Sequence, residues 1–237
     1  MHIIWDFNGT LLNDAQLSVD CDNHVFDELK LPHITIEDYR AHMTMPVRDF
    51  YTALGIDLNV YKYETIARIW LDMFNRNAVS CGLVPGALES IDRLKAQGYT
   101  QSILSATYEP DLKKQCDGLD LTSRMMAVNG LSDESARKKT DIGRAQMKAL
   151  GLEGKDVVLV GDMLADAELA RALGAHCVLV PWGHNAAWRL EGAGFPVAGS
   201  CDFSHIINNT AWIAVSGIGA FHVRHSGGDR YTVFICS

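Results

Sequence analysis

Three short stretches of this 237-residue chain combine acids and hydroxyls in a pattern that could act on a charged small molecule. The first is Asp6-Phe7-Asn8-Gly9-Thr10-Leu11, which follows the apolar run His2-Ile3-Ile4-Trp5 without a break. The second is Ser105 with Thr107, at the end of the run from Tyr99 to Ala106. The third is Gly161-Asp162, with Asp166 four residues on, after the β-branched run Val157 to Val160. Carboxylates brought close together repel and raise one another's pKa unless a cation lies among them. Hard oxygen donors with open positions suit Mg²⁺, which takes a few carboxylates and completes its shell with water and substrate phosphate. A lysine to balance the charge is at hand in Ala136-Arg137-Lys138-Lys139, where a helical stretch begins.

These residues meet only if the runs that carry them are strands of one sheet. After Pro85-Gly86 the chain alternates helical and strand-like segments: an amphipathic stretch ending at Gly98, a strand at 99–106, a helix from Glu109, a strand at Arg124 to Val128 and a helix from Lys139 to Gly151. The strand ending at Gly161, a helix ending at Gly174 and the strand from His176 follow. Such alternation implies βαβ units and a parallel sheet covered by helices on both faces. Between Asn13 and Gly82 the apolar residues instead recur with helical spacing (Leu17, Val25 and Leu29; Tyr39, Met43, Val47 and Tyr51), punctuated by Pro32 and Gly55, which predicts three or four helices and no strand. The expected architecture is therefore α/β, a Rossmann-like parallel-sheet core formed by residues 1–13 and 83–207, with an inserted helical unit at 14–82. Residues 208–237 form an extension in which two strand-like runs flank Ser226-Gly227-Gly228-Asp229, a hairpin candidate. Ligands of open parallel sheets bind beyond the carboxyl ends of the strands, where Asp6, Ser105 and Asp162 would converge.

Bulk properties narrow the setting. Lys plus Arg number 21 against 29 Asp plus Glu, a net charge of −8, and no predicted helix carries a basic stripe. Nucleic acid is not an expected partner, because binding a phosphate backbone needs a positive footprint. Cys21, Cys81, Cys116, Cys177, Cys201 and Cys236 are scattered without metal-ligand spacing and read as thiols in a reducing compartment. The apolar N-terminal run is too short for a signal peptide, and no run approaches the ~20 residues of a spanning helix, so no membrane association is expected and the location is cytoplasmic. The chain is expected to act as a monomer or homodimer.

The motifs together resemble those of the haloacid dehalogenase superfamily, which is dominated by phosphatases, and in particular phosphoglycolate phosphatase-like members. Its D-x-D-G-T motif reads Asp6 to Thr10, its strand-terminal hydroxyl is Ser105, its lysine is Lys139 with Lys138 as competitor, and its G-D-x-x-x-D is Gly161 to Asp166. The resemblance implies an Mg²⁺-dependent hydrolase acting on a phosphorylated small molecule, with Asp6 as nucleophile forming an aspartyl-phosphate. It further implies metal ligation by Asp6, the Asn8 backbone carbonyl, Asp162 and Asp166, phosphate binding by Ser105 and Lys139, and a helical cap at 14–82. Thr10 and the cap residue Arg48 are carried as further substrate-binding candidates, Arg48 for a second anionic group. His42 and Tyr51 also lie in the cap, and His184 falls at the site rim as a structural residue.

One position departs from the family pattern. The second acid of the first motif, which serves as general acid and base, is Asn8, and an amide cannot protonate a leaving group. General acid-base help is worth ~10²–10⁴-fold in rate. Its loss points to a substrate whose leaving group needs no proton, to a donor from elsewhere, or to a catalytically impaired protein that binds phosphate or a partner. Cleavage of phosphonates or another C–X bond is a minor alternative. A phosphonate-cleaving enzyme would require a Schiff-base lysine from the cap, where only Lys30 and Lys62 lie, and the intact Gly161–Asp166 motif argues for Mg²⁺ and against metal-independent dehalogenation. On this reading, restoring Asp at position 8 should speed alkyl monoester hydrolysis by ~10-fold or more.

Overall fold

The computed structural model describes residues 1–132, 138–199, 202–203 and 207–208, together with the backbone of 221–224 and 230–233. Its core is a five-stranded parallel sheet of β1 (His2–Trp5), β2 (Thr100–Tyr108), β3 (Val128–Leu131), β4 (Val157–Gly161) and β5 (His176–Leu179), in the order β3-β2-β1-β4-β5. From β1 the chain builds one half of the sheet outward through β2 and β3, then returns to build the other half through β4 and β5. The topological switch point therefore lies at the carboxyl end of β1, where such sheets open a crevice.

Register decides which residues reach that crevice. Trp5 is level with Ile103 of β2 and Val160 of β4, so Asp6 and Asp162 leave the sheet side by side, whereas β2 runs on past the expected end to Tyr108 and carries Ser105 within it. The Asp6 backbone N–H still bonds the Val160 carbonyl at 2.8 Å, which fixes the start of the loop. Beneath it, Ile3, Ile4 and Trp5 are fully buried, as befits a central parallel strand covered on both faces. α5 (Ala87–Ala96), α6 (Glu109–Gly118), α7 (Lys139–Leu150) and α8 (Leu164–Leu173) are the helices that alternate with the strands. α7 and α8 each end in a glycine of left-handed conformation, Gly151 and Gly174, at the positions expected.

The third strand differs from expectation. Instead of Arg124 to Val128 it spans Val128–Leu131, and Arg124 sits in a 3₁₀ turn with its guanidinium on Asp92. Asn129-Gly130, a pair typical of turns, stays in the strand because Gly130 approaches a neighbouring backbone: a Cβ there would fall 2.4 Å from the Thr107 carbonyl oxygen.

Between β1 and α5 lie α1 (Ala15–Leu29), α2 (Ile36–His42), α3 (Val47–Ala53) and α4 (Tyr63–Asn77). They share an apolar cluster of their own, with Val25, Phe26, Tyr39, Phe50, Tyr51 and Ile66 among its buried members. That cluster also buries the Asp22 carboxyl, which accepts the Tyr51 hydroxyl at 2.8 Å. Burial pushes the Asp22 pKa up to about 7, so the stability linked to this group is complete below about pH 4 and is lost as pH rises through 7. Asp22→Asn should accordingly stabilise the protein by about 1–2 kcal/mol at pH 8, with the gain growing between pH 4 and 7. Thermal unfolding across that range checks it, and a pH-independent effect would contradict the buried acid.

At the far end of the chain, β6 (Phe221–Arg224) and β7 (Arg230–Val233) pair antiparallel. The turn expected at 226–229 lies outside the described residues. α9 (Ala187–Glu191) follows β5, and among the described residues no helix is long and apolar enough to cross a membrane.

Candidate active site

Asp6, Asp162 and Asp166 meet at the switch point, with one oxygen from each lying within 4.8 Å of the others. Lys139, the first residue of α7, reaches across to them: its Nζ lies 2.7 Å from Asp6 Oδ1 and 2.8 Å from Asp166 Oδ1. Of the two adjacent lysines it is Lys139 that contacts the acids, while Lys138 precedes the helix and is exposed. Asp166 uses its other oxygen on the Met163 N–H in the first turn of α8, so it both starts the helix and faces the site.

Electrostatics follow from this packing. Burial and then the Asp166 charge push the Asp6 pKa up to about 7, against the pull of Lys139. Burial opposes the Lys139 ammonium, but Asp166 and Asp6 more than offset it and its pKa rises. Burial likewise raises Asp162, to about 6, although His184 pulls the other way.

Asp162 is fully buried and held from two sides. Thr10 Oγ1 donates to its Oδ1 at 2.9 Å, and the His184 backbone N–H donates to Oδ2 at 2.6 Å. Gly9, at φ 69°, allows that approach, because a Cβ on it would lie 2.4 Å from Asp162 Oδ2. Thr10 is thus not on the substrate side as expected: it has no exposed surface, and its hydroxyl orients Asp162.

Asn8 is half-buried on the crevice side. Its Oδ1 accepts from Thr107 Oγ1 at 2.7 Å and faces Ser105 Oγ at 3.4 Å. Ser105 is buried and also receives the Thr107 N–H at 3.0 Å. Thr107, half-exposed, is therefore a further hydroxyl at the site.

Arg48 is the one candidate the structure does not bring here. It is exposed on α3, beside Glu64 at 3.4 Å and over the ring of Tyr63 at 4.9 Å, so its charge is already engaged within the helical unit. His42, at the end of α2, faces the Asp38 carbonyl, and Tyr51 holds Asp22.

Two residues matter more than their sequence context suggested. Asp14 precedes α1 and would ordinarily be read as its N-cap, yet it makes no side-chain cap bond. Its carboxylate turns back to Asn8 and Gly9. His184 is buried, not at a rim: its Nε2 lies 3.5 Å from Asp14 Oδ1 and its Nδ1 3.0 Å from the Tyr39 hydroxyl of α2. Burial opposes its protonation, but Asp14 and Asp162 push its pKa up to about 9. The signal for Asp14 was Asn8 itself, since an amide in that loop requires an acceptor for its NH₂ group.

The donor set suits a divalent cation. With all six groups charged, four carboxylates (Asp6, Asp14, Asp162, Asp166) would stand against two cations (Lys139, His184), an excess of two negative charges. The three acids at the switch point offer only hard oxygen donors, which fit Mg²⁺.

Fold and site together define an α/β protein with a carboxylate-and-lysine cluster at its switch point. The chain belongs to the haloacid dehalogenase-like hydrolases, whose family model matches residues 3–180. It is 26% identical over 190 residues to a phosphoglycolate phosphatase of Mesorhizobium japonicum, covering 77% of this chain and 83% of that one. A haloacid dehalogenase-like family hydrolase from Streptococcus pneumoniae has the same fold, with a TM-score of 0.75 at 18% identity over 87% of this chain and 97% of that one. So does a Rhodobacter sphaeroides protein solved with xylulose-(1,5)-bisphosphate, at a TM-score of 0.65 and 20% identity over 85% and 95% of the two chains.

Proposed function

We propose that this chain is a cytoplasmic Mg²⁺-dependent phosphohydrolase of phosphorylated small molecules, in which Asp6 attacks phosphorus and water then hydrolyses the aspartyl-phosphate. The observation that carries this reading is Asp6 at the end of β1, with one carboxylate oxygen held by Lys139 and two further acids alongside. Bound at Asp6, Asp162, Asp166 and the Asn8 carbonyl, Mg²⁺ would supply the positive charge that lets an anionic phosphate approach an anionic nucleophile. Lys139 also stabilises charge on the non-bridging oxygens, together with the hydroxyls of Ser105 and Thr107. Residues 14–82 act as a cap that excludes water.

The names of the relatives support a phosphorylated small molecule as substrate. The free thiols of Cys21, Cys81, Cys116 and Cys177 are in keeping with a reducing compartment. A phosphonate-cleaving role finds little support, as Lys30 and Lys62 are exposed at helix ends.

The test is release of orthophosphate by the full chain from a panel of acyl, aryl, sugar and glycolate phosphates, with Mg²⁺ and with EDTA. Release should require Mg²⁺, and millimolar Mg²⁺ should raise the melting temperature, because a ligand that binds only the native state stabilises it. No release from any member of the panel with Mg²⁺ present would overturn the reading.

A further inference from the structure

Asp14 is 1% exposed, so its partners must come from the protein. It clamps the nucleophile loop with both oxygens: Oδ2 accepts the Asn8 side-chain N–H at 2.8 Å, and Oδ1 accepts the Gly9 backbone N–H at 2.6 Å. A carboxylate only accepts, so the Asn8 atom facing it has to be the NH₂ group. That leaves Asn8 Oδ1 for Thr107 and Ser105, the arrangement described above. An aspartate at position 8 would instead set two carboxylates against each other at hydrogen-bonding distance, and one would have to take up a proton or turn away.

We infer that Asn8 and Asp14 form a single positioning unit, in which the negative charge of the first motif sits behind the loop at residue 14, balanced by His184, and position 8 is required to be a hydrogen-bond donor. The inference rests on the phosphohydrolase reading and sharpens its substrate class. Asp14 is shielded behind Asn8 and cannot hand a proton to a leaving group. Asn8, which faces the crevice, has none to give at neutral pH. The substrate is accordingly a phosphate whose leaving group departs as a stable anion, as in acyl or aryl phosphates, and alkyl monoesters are turned over slowly. Restoring an acid at position 8 alone, the change that the motif by itself recommends, breaks the clamp instead of repairing the site.

Four full-length proteins test this: wild type, Asn8→Asp, Asp14→Asn and the double variant. Their melting temperatures are compared, as are kcat and KM on one aryl and one alkyl phosphate with Mg²⁺. Each single change should lower kcat on the aryl phosphate by about tenfold or more, in line with the coupling of residues in direct contact, with little effect on KM, and should lower the melting temperature. The double variant restores the donor-acceptor pair with its polarity reversed, so both readouts should recover. Its carboxylate now faces the crevice, so its alkyl-to-aryl rate ratio should exceed that of wild type, a change that a merely structural clamp would not produce. An Asn8→Asp protein as fast and as stable as wild type, or a double variant showing the summed losses of the singles, would overturn the unit. The melts are decisive whatever the activity: coupled melts with an inactive wild type would retain the clamp and remove the phosphohydrolase reading, and additive melts with an active wild type would do the reverse.

Discussion

Asp6→Asn is expected to remove phosphoryl transfer, lowering turnover by about four orders of magnitude or more, as loss of a covalent nucleophile does in other enzymes. The fold should survive the change. Asp6 lies past the last residue of β1, and its backbone bond to Val160 does not depend on the side chain. The amide also removes the buried charge whose desolvation, and then repulsion by Asp166, push the Asp6 carboxyl up to about 7. Lys139 keeps Asp166 as a partner in the variant, so no buried charge is stranded. Steady-state release of orthophosphate from an aryl phosphate, measured beside thermal unfolding, separates the two effects. Near wild-type turnover would place the nucleophile elsewhere. An inactive and unfolded variant would mean that Asp6 is chiefly structural.

The residues legible in the sequence were those whose position is set by strand ends. Asp6 and Asp162 each follow a β-branched or apolar run that stops abruptly, and parallel pairing then brings those ends into register. Ser105 instead lies inside β2, which continues to Tyr108, and Asp166 lies in the first turn of α8. Lys139 was legible because the start of its helix fixes the reach of a long side chain. The direction in which a short side chain points was not legible from spacing. Thr10 turns inward to Asp162, and Asp14 turns back from the start of α1 to the loop before it. Arg48 is drawn aside by Glu64 and Tyr63, partners that only the packing of α3 against α4 supplies. The edge strand was displaced for a similar reason: a turn-like Asn-Gly pair was kept in the sheet by the close approach of the Thr107 backbone. His184 shows the limit most plainly, since its position after β5 suggested a rim, whereas α2, with Tyr39, buries it.

Lys139→Met should have the second large effect, on stability and activity together. In the native protein one ammonium serves two buried carboxylates at 2.7 and 2.8 Å. Methionine keeps most of the apolar stem and removes the charge, leaving Asp6, Asp162 and Asp166 within 4.8 Å of one another without their cation. Removing one partner of a buried ion pair costs about 3–5 kcal/mol, chiefly through the uncompensated charge left behind. The loss should depend on pH in a definite sense. The Asp6 pKa is already raised in the folded state, so its share of stability is present below about pH 4 and is lost as pH rises through about 7. Without Lys139 that pKa moves higher still, and the stability gap to wild type should be wide at pH 8 and narrow at pH 5, where Asp6 can take up a proton. Mg²⁺ should close part of the gap at pH 8, because a divalent ion supplies the missing charge to the same oxygens. Activity should stay ~10²–10³-fold low even then, since Lys139 is also placed to stabilise the charge that develops on phosphate. Denaturant unfolding of both proteins at pH 5 and pH 8, with EDTA and with Mg²⁺, gives the four stability gaps needed. Equal stability of the two proteins at pH 8 in EDTA would mean that the Lys139 contacts with Asp6 and Asp166 are not in force in solution.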